Sequence, residues 1–211
     1  MSDAPVPQRG PASVRRAGPR DVATLVRVLA RAFDADPFYN WILPQDARRA
    51  ASFIGIFELI LGRLSDELSE TFATAALDGC VIWKRPPGIY KLSLLRQAQL
   101  LPSFARILGW NSIPRGMRLL EHMDRMHERI APEPHVYLYV LGVDPAQQRR
   151  GLGAQLLRPG FERADRQRHR IYLETARAEN VPFYQAQGFQ LQLANEHAEF
   201  PTLWAMTRDP R

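Results

Sequence analysis

The chain has little cysteine: Cys80 is the only one. No disulfide can form within it, so a secreted disulfide scaffold is excluded and a reducing cytoplasm is the expected setting. Long apolar runs are also missing. The longest, residues 53–61, is broken by Glu58 and falls short of the ~20 residues of a membrane span, so no membrane partner is expected. The opening residues Met1-Ser2-Asp3-Ala4-Pro5-Val6-Pro7 lack the apolar core of a secretory signal. Lysine is scarce, and the 28 Lys and Arg, set against 22 Asp and Glu for a net charge of +6, are nearly all Arg. Such a balance admits nucleic acid. However, the arginines alternate with acids, as in Arg163-Ala164-Asp165-Arg166, and no basic run is interleaved with aromatics. An anionic small ligand accounts for the charge as well, and no nucleic acid is expected.

What is present is ordinary globular material, 45% hydrophobic and 24% charged over 211 residues, enough for one domain with a sizeable core. Residues 1–12, rich in Pro and Gly, read as a mobile arm, and residues 13–211 as a single domain. A short strand is expected at residues 13–17. Gly18-Pro19-Arg20-Asp21 starts a helix along which Val22, Leu25, Val26, Leu29 and Phe33 repeat at helical spacing. Asp36-Pro37 ends it. A second helix starts at Asp46, with Phe53, Ile54, Phe57, Ile60, Leu61 and Leu64 as its apolar stripe. Residues 71–76 and 80–83 read as strands about a turn at Asp78-Gly79. Cys80, in the run Gly79-Cys80-Val81-Ile82-Trp83, reads as a small core residue rather than a nucleophile.

Residues 91–131 carry helical patterns broken at Pro102 and at Ile113-Pro114. Leu119, Leu120, Met123 and Met126 form a core stripe there. His122 and His127 are not four apart, as a metal pair on one helix face would be; they read as surface or partly buried imidazoles, and no metal site is expected. Val136-Tyr137-Leu138-Tyr139-Val140-Leu141 is the clearest strand, apolar enough to suggest burial on both faces. A helix over residues 151–166, a strand over 170–174, a helix over 180–187 and strands near 189–193 and 202–206 follow. The alternation implies an α/β or α+β class with a mixed sheet.

Between the clear strand and the long helix lies Gln148-Arg149-Arg150-Gly151-Leu152-Gly153-Ala154. Glycines allow close backbone approach to a ligand. The first helical turn offers unpaired N–H groups and the positive end of a dipole. Such a loop suits a pyrophosphate. It is not a Walker A loop, because no Lys-Ser/Thr follows. It also lacks the third glycine of a dinucleotide fold and is separated from its strand by residues 144–150, although Glu174 falls where a ribose-binding acid would.

The run Gly142-Val143-Asp144-Pro145-Ala146-Gln147-Gln148-Arg149-Arg150-Gly151-Leu152-Gly153-Ala154 resembles motif A of the GNAT superfamily of N-acetyltransferases, with Gln148, Gly151 and Gly153 on its Q/R-x-x-G-x-G/A loop. Asn180-Val181-Pro182-Phe183-Tyr184-Gln185-Ala186-Gln187-Gly188-Phe189 resembles motif B, with Asn180 one residue nearer the aromatic pair than in some members. Leu173-Glu174-Thr175, Leu157-Arg158-Pro159-Gly160 and Trp204-Ala205-Met206-Thr207-Arg208 are similar to the puromycin N-acetyltransferase type of small-amine acetyltransferase. The likeness is good over residues 135–208 and thin before residue 130, where acceptor specificity usually lies. It supports keeping one helix through Pro159.

The resemblance implies a mixed, mostly antiparallel sheet with helices on both faces and a helical insertion at about residues 90–131. It implies acetyl-CoA as cosubstrate and direct transfer in a ternary complex to a primary amine of a small molecule. Leu141, Gly142 and Val143 would lie along the pantetheine arm, with the Val143 N–H polarising the thioester carbonyl. Gln148, Arg149, Arg150, Gly151, Leu152, Gly153 and Ala154 would hold the pyrophosphate, and Asn180 the pantetheine. Tyr184 would protonate the departing thiolate, and Glu174 would take the amine proton. Asp34, Asp36, Tyr39 and Trp83 are candidates for the acceptor pocket, the acids attracting a cationic amine and the aromatics covering it. A homodimer is compatible with this reading. The alternatives are acetylation of a protein N-terminus or lysine, which needs an open groove, and a non-catalytic acyl-CoA-binding protein.

Overall fold

The computed structural model describes residues 13–63, 69–88 and 94–211. The expected arm at residues 1–12 and Leu64 of the predicted stripe lie outside them. A seven-stranded sheet runs in the order β1-β2-β3-β4-β5-β7-β6. Its strands are β1 Val14–Arg16, β2 Ser69–Thr74, β3 Gly79–Lys84, β4 Val136–Val143, β5 Ile171–Thr175, β6 Gln190–Asn195 and β7 Leu203–Arg208. All neighbours are antiparallel except β4 and β5. A parallel pair needs a long crossover, and helix α6, Leu152–Gln167, provides it. The fold is thus the mixed, mostly antiparallel α/β architecture expected.

Helices cover both faces. On one lie α1 Val22–Ala32, α3 Arg49–Glu58 and α4 Leu94–Leu108, packed with Ala73, Cys80, Ile82 and Val140 of the sheet. Further along the same face, Met126 of α5, Ile113–Ile130, packs with Tyr172 and Ala205. The other face carries α6 and α7, Val181–Ala186, over Val81, Trp83, Val136, Leu138, Leu173 and Met206. Alternate residues of β3 thus serve the two cores, as the pleat requires.

Strand β4 breaks that alternation once. Ile82 faces Val140 and Trp83 faces Leu138, so Tyr139 is the extra residue of a β-bulge. Leu138 packs beneath α6, whereas Val140 packs beneath α1. The bulge bends β4, and its ladder to β5 comprises only Val136↔Ile171 and Tyr137↔Tyr172. Past Tyr137 the two strands part.

Several expectations need correction. Asp36 does not merely follow a helix: its carboxylate accepts from the Phe38 N–H at 2.9 Å and caps a new helix, α2 Pro37–Ile42. Pro102 does not break α4; packing of the flanking turns outweighs one lost hydrogen bond. Leu120 leaves the predicted stripe and is exposed, because only 119, 123 and 126 share the buried side of α5. His127 is buried, not superficial. Burial of β4 on both faces is uneven, with one residue in two only half-buried. Helix α6 does run through Pro159 as expected.

Trp83 is 1% exposed and lies directly under Gly160 of α6, where an added Cβ would come within 2.2 Å of the indole. Gly160→Ala therefore overpacks the core. A loss of about 1–3 kcal/mol is expected, seen as a lower urea midpoint at unchanged m-value.

Candidate active site

The parted strands make a gap in the sheet, and the residues of interest collect around it. Backbone directions on its β4 side follow from one hydrogen bond. The Asp144 N–H donates to the Asp78 carbonyl at 2.8 Å, toward β3. Successive strand N–H groups alternate in direction, so that of Val143 turns the other way, toward the gap. Gly142 is required by close packing: a Cβ there would stand 2.5 Å from Leu29 and 3.1 Å from Phe33.

The loop after β4 turns sharply and leaves backbone donors open, a geometry suited to an anion. Asp144 caps a short 3-10 turn through the Ala146 N–H at 3.1 Å and pairs with Arg31 on α1. The Gln148 amide donates to the Val143 carbonyl at 3.1 Å, tying the loop to the end of β4. Arg149 and Gly151 adopt left-handed conformations, φ +60° and +77°, which turn the exposed chain sharply into α6. No side chain caps α6, so its first N–H groups point outward beside Arg149 and Arg150. Leu152 anchors the turn in the core. Gly153 lets α7 approach, since a Cβ would meet Phe183 at 3.1 Å. Ala154 follows on the same helix. The loop and the open β4 edge fit a long anionic carrier whose arm enters the gap.

Asn180 and Tyr184 stand on the α7 side. The Asn180 amide donates to the Thr175 hydroxyl at 3.1 Å, closing the end of β5. Tyr184 is 8% exposed, between Phe183 and Phe189. Burial first, and then the charge of Asp36, hold its phenol well above the usual range. Asp36 caps α2 on the other face of the sheet. Asp36 is itself buried, and its carboxyl is raised chiefly by that burial. Tyr39 packs edge-on against Phe33 at 5.2 Å beside it.

Glu174 faces α5, with its side chain 4% exposed. It is neither solvated nor ion-paired at a strand end. The Tyr172 hydroxyl donates to it at 2.8 Å, and Tyr137 turns its hydroxyl to the same carboxylate. Burial pushes this carboxyl up to about 7, against the pull of the two phenols, and Asp124 adds to the rise.

The structure thus groups Asp36, Tyr39, Glu174, Asn180 and Tyr184 with the loop and the β4 edge. It does not bring in Trp83, which fills the core under α6, nor Asp34, which pairs with Arg49 at 3.0 Å on the surface. The residues around Glu174 escaped notice in the sequence. Tyr172 sits two positions before it, the strand spacing for a shared face, and Tyr137 is the matching residue of β4; His127 and His135 carry no such signal. Burial raises the Cys80 thiol to about 12 and leaves no thiolate at neutral pH. Among the described residues no group of three His, Cys, Asp or Glu is placed to hold a metal, and no helix is long and apolar enough to cross a membrane. An open cavity of about 340 Å³ lined by Arg158, Phe161, Arg208 and Arg211 lies on α6 away from Glu174.

Residues 115–189 match the model of the acetyltransferase (GNAT) family. On that match and this fold, the chain is an acetyl-CoA-dependent N-acetyltransferase. Solved structures share the architecture end to end. A structure from Corynebacterium glutamicum, described as histone acetyltransferase HPA2 and related acetyltransferase, superposes with a TM-score of 0.69 at 23% identity, over 95% of this chain and 97% of that one. Arylalkylamine N-acetyltransferase 2 of Aedes aegypti gives 0.63 at 14%, over 96% and 100%. The PaiA N-acetyltransferase of Thermoplasma acidophilum, solved with coenzyme A, gives 0.54 at 13%, over 95% and 99%. At these identities the shared feature is the fold.

The acetyltransferase's buried carboxyl makes its stability depend on pH. Glu174 holds its proton to about pH 7 when folded, against 4.5 as its reference value. A raised folded-state value stabilises below the unfolded one, and that contribution is lost as pH rises through 7. Relative to Glu174→Gln, the native chain should lose about 2–3 kcal/mol between pH 5 and pH 8. Denaturant unfolding of both proteins at the two pH values measures this; parallel pH dependence would contradict the burial argument.

Proposed function

We propose that this acetyltransferase moves an acetyl group from acetyl-CoA to a primary amine of a small molecule, by direct attack in a ternary complex, in the cytoplasm. One observation carries the reading. A carboxyl that burial pushes up to about 7 stands on β5 beside the place where β4 and β5 part, held by two phenols. Acetyl-CoA, when bound, supplies an acetyl group activated as a thioester. Residues 148–154 hold its pyrophosphate through the open N–H groups of α6 and the charges of Arg149 and Arg150. Leu141, Gly142 and Val143 line its arm, which Asn180 also meets, and the Val143 N–H polarises the acetyl carbonyl.

The attacking amine must be neutral. Glu174 takes the proton released as the N–C bond forms, directly or through water. The C–S bond breaks, and the Tyr184 hydroxyl gives the sulfur a proton or a hydrogen bond. A phenol kept neutral by burial is suited to donate. Asp36 attracts the cationic form of the amine toward the gap, and Tyr39 lies beside it.

The acceptor side supports a small substrate. Trp41 of α2, His122 of α5 and Phe200 of the β6–β7 connection meet at ring-centroid distances of 5.6 Å and 5.1 Å about Phe200. These contacts close that face around α2, where an enclosed amine fits better than a protein tail.

Thiol release from acetyl-CoA over a panel of small amines and peptides tests the reading. Tyr184→Phe should lower kcat by about 10²–10⁴ while the KM for acetyl-CoA stays within a few-fold, and Cys80→Ala should retain turnover. Preference for peptides would move the substrate to proteins, and normal turnover of Tyr184→Phe would remove its catalytic role.

A further inference from the structure

A second set of side chains stands behind Glu174. Nδ1 of His127, on α5, lies 3.9 Å from the Glu174 carboxylate. Nε2 of His127 lies 2.7 Å from Nε2 of His135. Nδ1 of His135 in turn lies 2.7 Å from the backbone carbonyl of Glu133. The two histidines are 5% and 1% exposed, and burial lowers both, His127 to about 3, so both are neutral at pH 7.

A neutral imidazole carries one N–H, and here its place is determined by logic running inward from the backbone. A carbonyl only accepts, so the proton of His135 is on Nδ1. Nε2 of His135 is then a lone pair and takes its hydrogen bond from Nε2–H of His127. The remaining nitrogen of His127, Nδ1, is bare, and it is the one that faces Glu174.

We propose that Glu133, His135 and His127 form a tautomer relay that presents a bare imidazole nitrogen to Glu174 and thereby keeps its carboxyl ready to accept a proton at neutral pH. His135 and His127 are positioning residues in this scheme. The inference rests on the reading of Glu174 as the proton acceptor. At 3.9 Å, beyond hydrogen-bond range, the lone pair repels an ionised carboxylate and leaves the neutral acid undisturbed. The difference favours the protonated form. The opposite tautomer would turn the positive end of an N–H toward the carboxylate and favour its charge.

The other groups around Glu174 leave room for such control. Tyr137 from β4 and Tyr172 from β5 donate to it, and Asp124 from α5 opposes its charge. The residue across from it on β7 is Ala205. The rings are held in place. His127 stacks on Tyr172 at 4.0 Å and 17° and meets Tyr137 edge-on at 4.7 Å. The turn at Gly88, φ +84°, lies against His135, and a Cβ there would come within 2.4 Å of its Nε2.

NMR on the full chain separates the possibilities. With ¹⁵N-labelled histidine, His127 of the unaltered protein should show the Nε2–H tautomer and His135 the Nδ1–H tautomer, both neutral from pH 7 to 9. An Nδ1–H tautomer at His127 would overturn the proposal without any variant. His135→Leu removes the acceptor of His127, which should then move its proton to Nδ1. The ¹³C-detected titration midpoint of Glu174 should fall by about one pH unit or more, and an unchanged midpoint in the folded variant would sink the relay. The acidic limb of kcat/KM should fall in step. If the midpoint moves and the limb does not, the relay stands and Glu174 is not the proton acceptor.

Discussion

Two strands of a sheet stay together only while their hydrogen-bond registers match, and here one extra residue ends the match. The bulge at Tyr139 turns β4 just past its last pairing with β5. Everything proposed for the site depends on that departure. It frees the gap-side backbone of β4 from pairing with β5, and the charge of Asp36, which caps α2, adds to the rise of the Tyr184 phenol. An unbroken sheet would separate a donor bound at α6 from an acceptor held against α2 and α5.

The gap stays open because its rims are fastened elsewhere. Strand β5 keeps a full antiparallel ladder with β7, and β4 one with β3 interrupted only by the bulge. Arg208 of β7 holds α6 through Asp165 at 2.8 Å and 2.9 Å, and its guanidinium lies 4.4 Å over Phe161. This bidentate, nearly buried pair differs from the exposed pairs, such as Arg48 with Asp46, which contribute little. The many arginines thus serve in part to clamp elements, while Arg149 and Arg150 face outward at the loop into α6.

The polar interior on the α5 side is the counterpart of the gap. A carboxyl in that environment is tolerated because two phenols donate to it and because it can hold a proton. The same aromatic stack that hydrogen-bonds Glu174 clasps His127, so packing and proton affinity are set by one cluster. Cys80, buried in the α1 layer, takes no part in it.

Much of this was legible in residue order. Helical spacing located α1, α3, α5 and α6, and β-branched and aromatic density located β4. The glycines of residues 151–153 marked the turn into α6, and Asn180 and Tyr184 marked α7, because backbone conformation and local motif are properties of neighbours in the chain. The cap at Asp36, the burial of His127 and the place of Trp83 were not legible, since each depends on which distant element lands on it. The bulge at Tyr139 is a mismatch between β4 and β3, and the environment of Glu174 draws on β4, β5 and α5 together. By itself, then, the sequence determined most of the elements and the glycine loop that opens α6. The parting of β4 from β5, the burial of Glu174 and the stacking of His127 on Tyr172 were decided by tertiary structure alone, because strand register and desolvation exist only once remote segments meet.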